Sequence, residues 1–136
     1  MKQKLLFLLV TLLITLSASA QTEYEYVDLG LPSGTLWATC NVGASSPEEF
    51  GDFFCWGETS AKDWYEYSTY KYCMGSHLTL TKYCNNSEFG YNGFTDDKTV
   101  LDPEDDAATV NMGEDWCTPS PDQLNELKQC TRKWTE

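Results

Sequence analysis

Two kinds of residue in this chain have types and spacings that could do chemistry: six cysteines and an excess of carboxylates. Cys40, Cys55, Cys73, Cys84, Cys117 and Cys130 make an even count. Even counts in an oxidising compartment favour disulfides, and six cysteines allow fifteen pairings. No C-x-x-C pair occurs and His77 is the single histidine, so a structural zinc site has too few ligands at the right spacing. Among the acids, Asp96, Asp97, Asp102, Glu104, Asp105 and Asp106 crowd together, with Glu114 and Asp115 nearby. Carboxylates so close in sequence can supply several of the oxygens that calcium needs, and Asp102, Asp105 and Asp106 are the candidates. Their spacing does not fit an EF-hand loop. Helix capping and solvation account for them better.

Other chemistries find less support. Glycoside hydrolysis needs two carboxylates at a defined separation, and Glu58 is one acid among many. His77 has no serine- or cysteine-based motif around it, and Gly75, Ser76 and Thr79 mark its surroundings as a surface loop. Trp64-Tyr65-Glu66-Tyr67 and Tyr70-Lys71-Tyr72 could stack on sugar rings, but packing beneath a long loop is the commoner use of such residues. No catalytic constellation is visible, and nothing calls for a cofactor.

The elements that must position these groups start with an export signal. Lys2 and Lys4 precede an apolar run from Leu5 to Leu16, and Ala18-Ser19-Ala20 offers small residues to a signal peptidase, so cleavage is expected before Gln21. A dozen apolar residues span about 18 Å as a helix, short of a ~30 Å hydrocarbon core, and no later run is long enough to span one. Cleavage leaves residues 21–136 and moves the formal charge from −12 to −14. Such a charge repels phosphate backbones and argues against a nucleic-acid partner. The chain is expected to be exported to the periplasm, the cell surface or the medium, with an extracellular glycan or protein as partner. The high aromatic content, with five Trp and eight Tyr, argues against disorder.

Tyr24 to Leu29 alternates like a short strand, Gly30 to Gly34 reads as a turn, and Thr35 to Cys40 returns as a second strand. Phe53-Phe54-Cys55-Trp56 is expected to be buried. Residues 57–93 hold few regular elements, and a bridge between Cys73 and Cys84 would tie that long loop down, contributing roughly 2–3 kcal/mol. Asp102-Pro103 signals a short helix with Asp102 as cap and further acid in its first turn. Ser120-Pro121-Asp122-Gln123 is a capping box that predicts a helix over 121–131, with Leu124, Leu127 and Cys130 on one inward face. Two short strands, a long loop and two helices make a thin core.

Glu25 to Ala44, with its Val27-Asp28-Leu29-Gly30-Leu31-Pro32-Ser33-Gly34-Thr35-Leu36-Trp37-Ala38 centre, closely resembles the opening of the Fibrobacter succinogenes major paralogous domain. Gly51 to Glu58 is similar to that family's next motif, Asp105-Asp106-Ala107-Ala108 to a third, and Trp116-Cys117-Thr118-Pro119-Ser120 with Leu124 and Leu127 to a fourth. The resemblance implies an α+β, C-type lectin-like fold related to the formylglycine-generating enzymes: a small twisted sheet with long irregular loops and short helices. It also implies that residues 21–136 are the N-terminal portion of an incomplete domain, whose ligand face usually lies in the later half. The late cysteine pair of the formylglycine-generating enzymes has no counterpart here. Cys55 stands where the family usually has alanine and Cys117 where it usually has arginine, and this joint departure implies a bridge between them. Cys40 with Cys130 follows by elimination. The reading is an exported, non-catalytic binding or surface module. The alternatives are an enzyme acting on extracellular glycans or sulfated substrates, and a structural or adhesin-type surface protein.

Overall fold

The computed structural model describes residues 24–130. The expected signal peptide and the cleavage site before Gln21 lie outside the described residues, as does residue 131; the helix predicted over 121–131 already ends at Leu127. Among the described residues the chain is a small mixed α/β protein with one two-stranded antiparallel sheet and two short helices. No described helix is long and apolar enough to cross a membrane.

Strands β1 (Tyr26–Asp28) and β2 (Leu36–Ala38) pair with Tyr26 opposite Ala38, Val27 opposite Trp37 and Asp28 opposite Leu36. Both are shorter than the sequence predicts, although Thr39 N–H still donates to Glu25 C=O at 3.1 Å beyond the ladder. The turn is built as its residues require. Asp28 Oδ1 accepts from Gly30 N–H at 2.8 Å, and Gly34 N–H closes onto Leu31 C=O at 2.9 Å. Tyr24, just ahead of β1, donates its hydroxyl to Asn111 C=O at 3.0 Å and sets its ring edge-on to Trp116.

Helix α1 (Ala107–Met112) follows a single 3-10 turn at Pro103–Asp105. Asp102 occupies the cap position of that turn but its side chain caps nothing; the capping carboxylate is Asp106. Asp106 Oδ1 accepts from Ala108 and Thr109 N–H, at 2.9 and 3.2 Å, and from the Thr118 hydroxyl at 3.0 Å, while Oδ2 takes Thr118 N–H at 2.8 Å. One buried acid thus caps α1 and fastens the segment that leads to the next helix. That helix, α2 (Pro121–Leu127), carries the capping box its sequence announces. Gln123 N–H donates to Ser120 Oγ at 3.3 Å, and Ser120 N–H donates to Gln123 Oε1 at 2.9 Å.

The inward face expected of α2 is not buried. Leu124 is exposed, and Leu127 and Cys130 are only half-buried, because polar contacts dock the helix. Glu126 accepts from Ser33 N–H at 2.9 Å and from the Ser33 hydroxyl, and Gln123 Nε2 donates to Thr35 Oγ1 at 3.3 Å. The expectation of a buried Phe53–Trp56 run also fails, since Phe53 and Trp56 are exposed. Among the described residues the buried apolar side chains are Leu31, Cys84, Ala107, Ala108 and Met112, joined by three buried acids, Glu58, Asp105 and Asp106. Carboxylates organise this interior as much as apolar side chains do.

Candidate functional site

The site is built around Asp105, whose side chain is 1% exposed. Lys71 Nζ donates to its Oδ1 at 2.8 Å and Lys82 Nζ to its Oδ2 at 2.5 Å. The Tyr72 hydroxyl donates to Oδ1, and the Tyr83 hydroxyl to Oδ2 at 2.9 Å. Two Lys-Tyr-Cys tripeptides, residues 71–73 and 82–84, therefore converge on one carboxylate. The repeat is visible in the sequence; what it surrounds is not. The tripeptides are brought together by backbone pairing, with Thr81 N–H on Tyr72 C=O at 2.8 Å and an isolated antiparallel bridge between Cys73 and Leu80. The Tyr72 and Tyr83 rings meet edge to face at 5.5 Å between centroids. Lys82 also pairs with Asp102 at 2.5 Å, and Asp102 with Lys98 at 2.6 Å.

Burial pushes the Asp105 carboxyl upward, but the hydrogen bonds from Lys71, Lys82, Tyr72 and Tyr83 outweigh it and hold the acid well below the usual carboxylate range. The hydrogen bond to Asp105 holds Lys71 high, and those to Asp102 and Asp105 hold Lys82 high. Tyr72 and Tyr83 are raised by burial and by Asp105. Each member of the cluster is thus held in one protonation state across neutral pH. The cluster is an electrostatic clamp and not an acid–base pair.

The three calcium candidates do not share a site. Asp102 faces Lys82 and Lys98, Asp105 faces the clamp, and Asp106 faces backbone and Thr118. Among the described residues, no group of three or more His, Cys, Asp or Glu side chains is placed to hold a metal ion. All six cysteines are free thiols in this structure, so none of the three expected bridges is present in it. The Cys73 thiol donates to Tyr67 C=O and the Cys84 thiol to Asn86 C=O at 3.1 Å. Cys84 is buried, Cys117 is exposed, and Cys40, Cys55 and Cys130 are half-buried. His77 lies in an exposed turn, its ring 5.6 Å from that of Tyr67.

Beside the clamp lies an open hollow of about 330 Å³, walled by Trp56, Tyr65, Tyr67 and Tyr70 with Glu66 and Cys55. Tyr70 is half-buried against Tyr72, but the other three aromatic residues are not the filling of a loop. Trp56 is 46% exposed, Tyr65 44% and Tyr67 55%, and neighbouring Trp64 reaches 73%. Two of the rings are nonetheless fixed at their hydroxyl ends. Tyr70 donates to Trp56 C=O at 2.8 Å, and Tyr65 donates to Phe53 C=O while accepting from Lys62 N–H at 3.2 Å.

Glu58 links hollow and clamp. Its Oε1 accepts from Lys71 N–H at 2.7 Å and from Lys62 Nζ at 2.8 Å. Its Oε2 lies 2.6 Å from the same ammonium, close enough for ion pairing but not aligned as a hydrogen bond. Burial pushes the Glu58 carboxyl upward, yet the bonds from Lys62 and Lys71 outweigh it and keep the acid below its ordinary value. Gly57 completes the junction at φ +78°, where a Cβ would lie 2.8 Å from the Tyr83 ring and 2.9 Å from the Tyr72 ring. Successive residues thus serve both features: Tyr70 walls the hollow, the Lys71 amide holds Glu58, and Tyr72 binds Asp105. No protein family, curated protein or solved structure matches the chain.

Proposed function

We propose that this chain is an exported, non-catalytic binding module and that the aromatic hollow receives a glycan. One observation carries the reading: Trp56, Tyr65, Tyr67 and Tyr70 wall a single open hollow, with the first three at least 44% exposed. Flat aromatic faces suit the apolar C–H faces of sugar rings. Hydroxyls tied to backbone carbonyls hold Tyr65 and Tyr70 in place before a ligand arrives, which reduces the ordering cost of binding. The hollow's volume lies at the small end of the range for ligand pockets and suits one or two sugar units. The signal-peptide pattern supports an extracellular setting. The likeness of residues 25–44, 51–58, 105–108 and 116–127 to the Fibrobacter succinogenes major paralogous domain supports a C-type lectin-like relationship.

The test is a glycan array on the expressed chain, followed by calorimetry on the oligosaccharides retained. Trp56→Ala and Tyr67→Ala should each weaken binding by about 2 kcal/mol, close to thirtyfold in Kd, as expected for truncating a central aromatic contact. Phe50→Ala, exposed but outside the hollow, should leave binding unchanged. An empty array, or binding indifferent to both hollow variants, would sink the reading.

A further inference from the structure

The charge around the hollow narrows the ligand class, an inference that rests on the glycan reading above. We propose that the preferred ligand is an amino-sugar glycan with free, protonated amines, such as a glucosamine oligomer, and that Glu66 receives the ammonium group. Glu66 lies between Tyr65 and Tyr67 in the chain and lines the hollow with them. Its Oε2 accepts from the Ser68 hydroxyl at 3.1 Å, and among the described residues no cation pairs with either oxygen.

The nearby ammonium groups are occupied elsewhere. Lys62 lies 5.8 Å from the centre of the Tyr65 ring, but Glu58 and Thr69 C=O hold its Nζ. Lys71 is held by Asp105. Among the described residues no lysine or arginine lines the hollow. The wall therefore combines π faces, which attract cations, with one uncommitted carboxylate. The acidic chain around it adds a field of the same sign. A neutral sugar would use the rings and leave the charge idle; a protonated amino sugar uses both.

Calorimetry with three oligomers of equal length separates the possibilities: glucosamine, N-acetylglucosamine and an unsubstituted β-glucan. The wild-type chain should bind the glucosamine oligomer about five- to tenfold tighter than the other two, the gain expected of one exposed ion pair with a cation–π contact. Glu66→Gln should bring the three affinities together. Asp122→Asn, which removes an exposed carboxylate on α2 far along the chain from the hollow, should preserve the preference. Matching urea-unfolding curves for the wild type and both variants would establish that all are folded. Equal wild-type affinity for all three oligomers, still lost in Trp56→Ala, overturns the inference and leaves the glycan reading standing. Failure of the folded chain to bind any of the three overturns the inference, and an empty glycan array beside it overturns the glycan reading as well. A glucosamine preference that survives Glu66→Gln, or falls equally in Asp122→Asn, marks general attraction to an acidic surface and overturns the role given to Glu66.

Discussion

Asp105 accepts from four side chains, and its removal takes the carboxylate from Lys71, Tyr72 and Tyr83 while leaving Lys82 with Asp102 alone. Asp105→Asn keeps the volume but loses the charge, leaving two ammonium groups facing an amide. Breaking a buried pair costs about 3–5 kcal/mol, and since Lys71 is half exposed to water, a loss nearer 2–3 kcal/mol is expected in urea unfolding at neutral pH. The pH dependence has a definite sign. Asp105 is held low in the folded chain, so its contribution is complete above the unfolded aspartate value of about 4 and fades as pH falls below it. Lys71, Lys82, Tyr72 and Tyr83 are held high, so theirs is complete below about 10 and fades as pH rises beyond it. Asp105→Asn should flatten the acid limb without abolishing it, because Glu58, Asp96 and Asp102 are also held low. An acid limb identical in the variant would remove Asp105 from the account. Gly57→Ala tests the same junction from the backbone side. A φ of +78° and two ring atoms within 3 Å of the new methyl predict a loss of about 1–3 kcal/mol, whereas Gly75→Ala, at φ +88° in open space, bears only the backbone strain and should cost less.

At the scale of elements, local capping chemistry was legible and tertiary burial was not. Ser120, Pro121 and Gln123 specify the start of α2 within four residues, and the structure forms the box they describe. Asp102-Pro103 carries a similar signal, and Asp102 does sit at the cap position, but its carboxylate pairs with two lysines and Asp106 caps α1 instead. Nothing in the run of acids distinguishes those roles, because the lysines that claim Asp102 and Asp105 lie between 4 and 34 positions away. The aromatic residues misled for a related reason. Composition predicts packing, yet three-residue strands and helices of six and seven residues offer too little surface to cover them. Since Glu126 and Gln123 tie α2 to Ser33 and Thr35 while Leu124 is exposed, Glu126→Gln should loosen the helix from the Ser33 turn at a cost of about 1–2 kcal/mol. Leu124→Ala, at an exposed position, should cost less than 1 kcal/mol. Reversal of that order in paired unfolding curves would restore the apolar docking that the sequence suggests.

At the scale of the molecule, few side chains are buried among the described residues, and a long irregular segment must still hold its shape. Backbone pairing supplies part of the answer. Leu80 N–H donates to Phe89 C=O and Tyr91 N–H to Leu80 C=O, both at 2.8 Å, while Asp96 takes Tyr83 and Cys84 N–H at 2.8 and 2.9 Å. The Asp105 clamp supplies another part by joining residues 71–72 and 82–83 to the start of α1. Disulfides would act on the unfolded chain and add to both. On the proposed export, the expected bridges are Cys73–Cys84, Cys55–Cys117 and Cys40–Cys130, and mass spectrometry should read Gln21 as the N-terminus. Non-reducing peptide mapping of secreted material checks both statements at once. A link from Cys73 to any residue but Cys84 would show that the loop is fixed by another route. Recovery of all six as free thiols would leave the clamp, the backbone pairs and the Glu58, Tyr65 and Tyr70 hydrogen bonds to hold the loop. In that case reducing agent should not change the melting temperature, and Asp105→Asn should release residues 71–84 to rapid hydrogen exchange. With the first bridge in place, the same variant should loosen the lysines and tyrosines while the amides between Cys73 and Cys84 keep part of their protection, and reduction should then remove what remains.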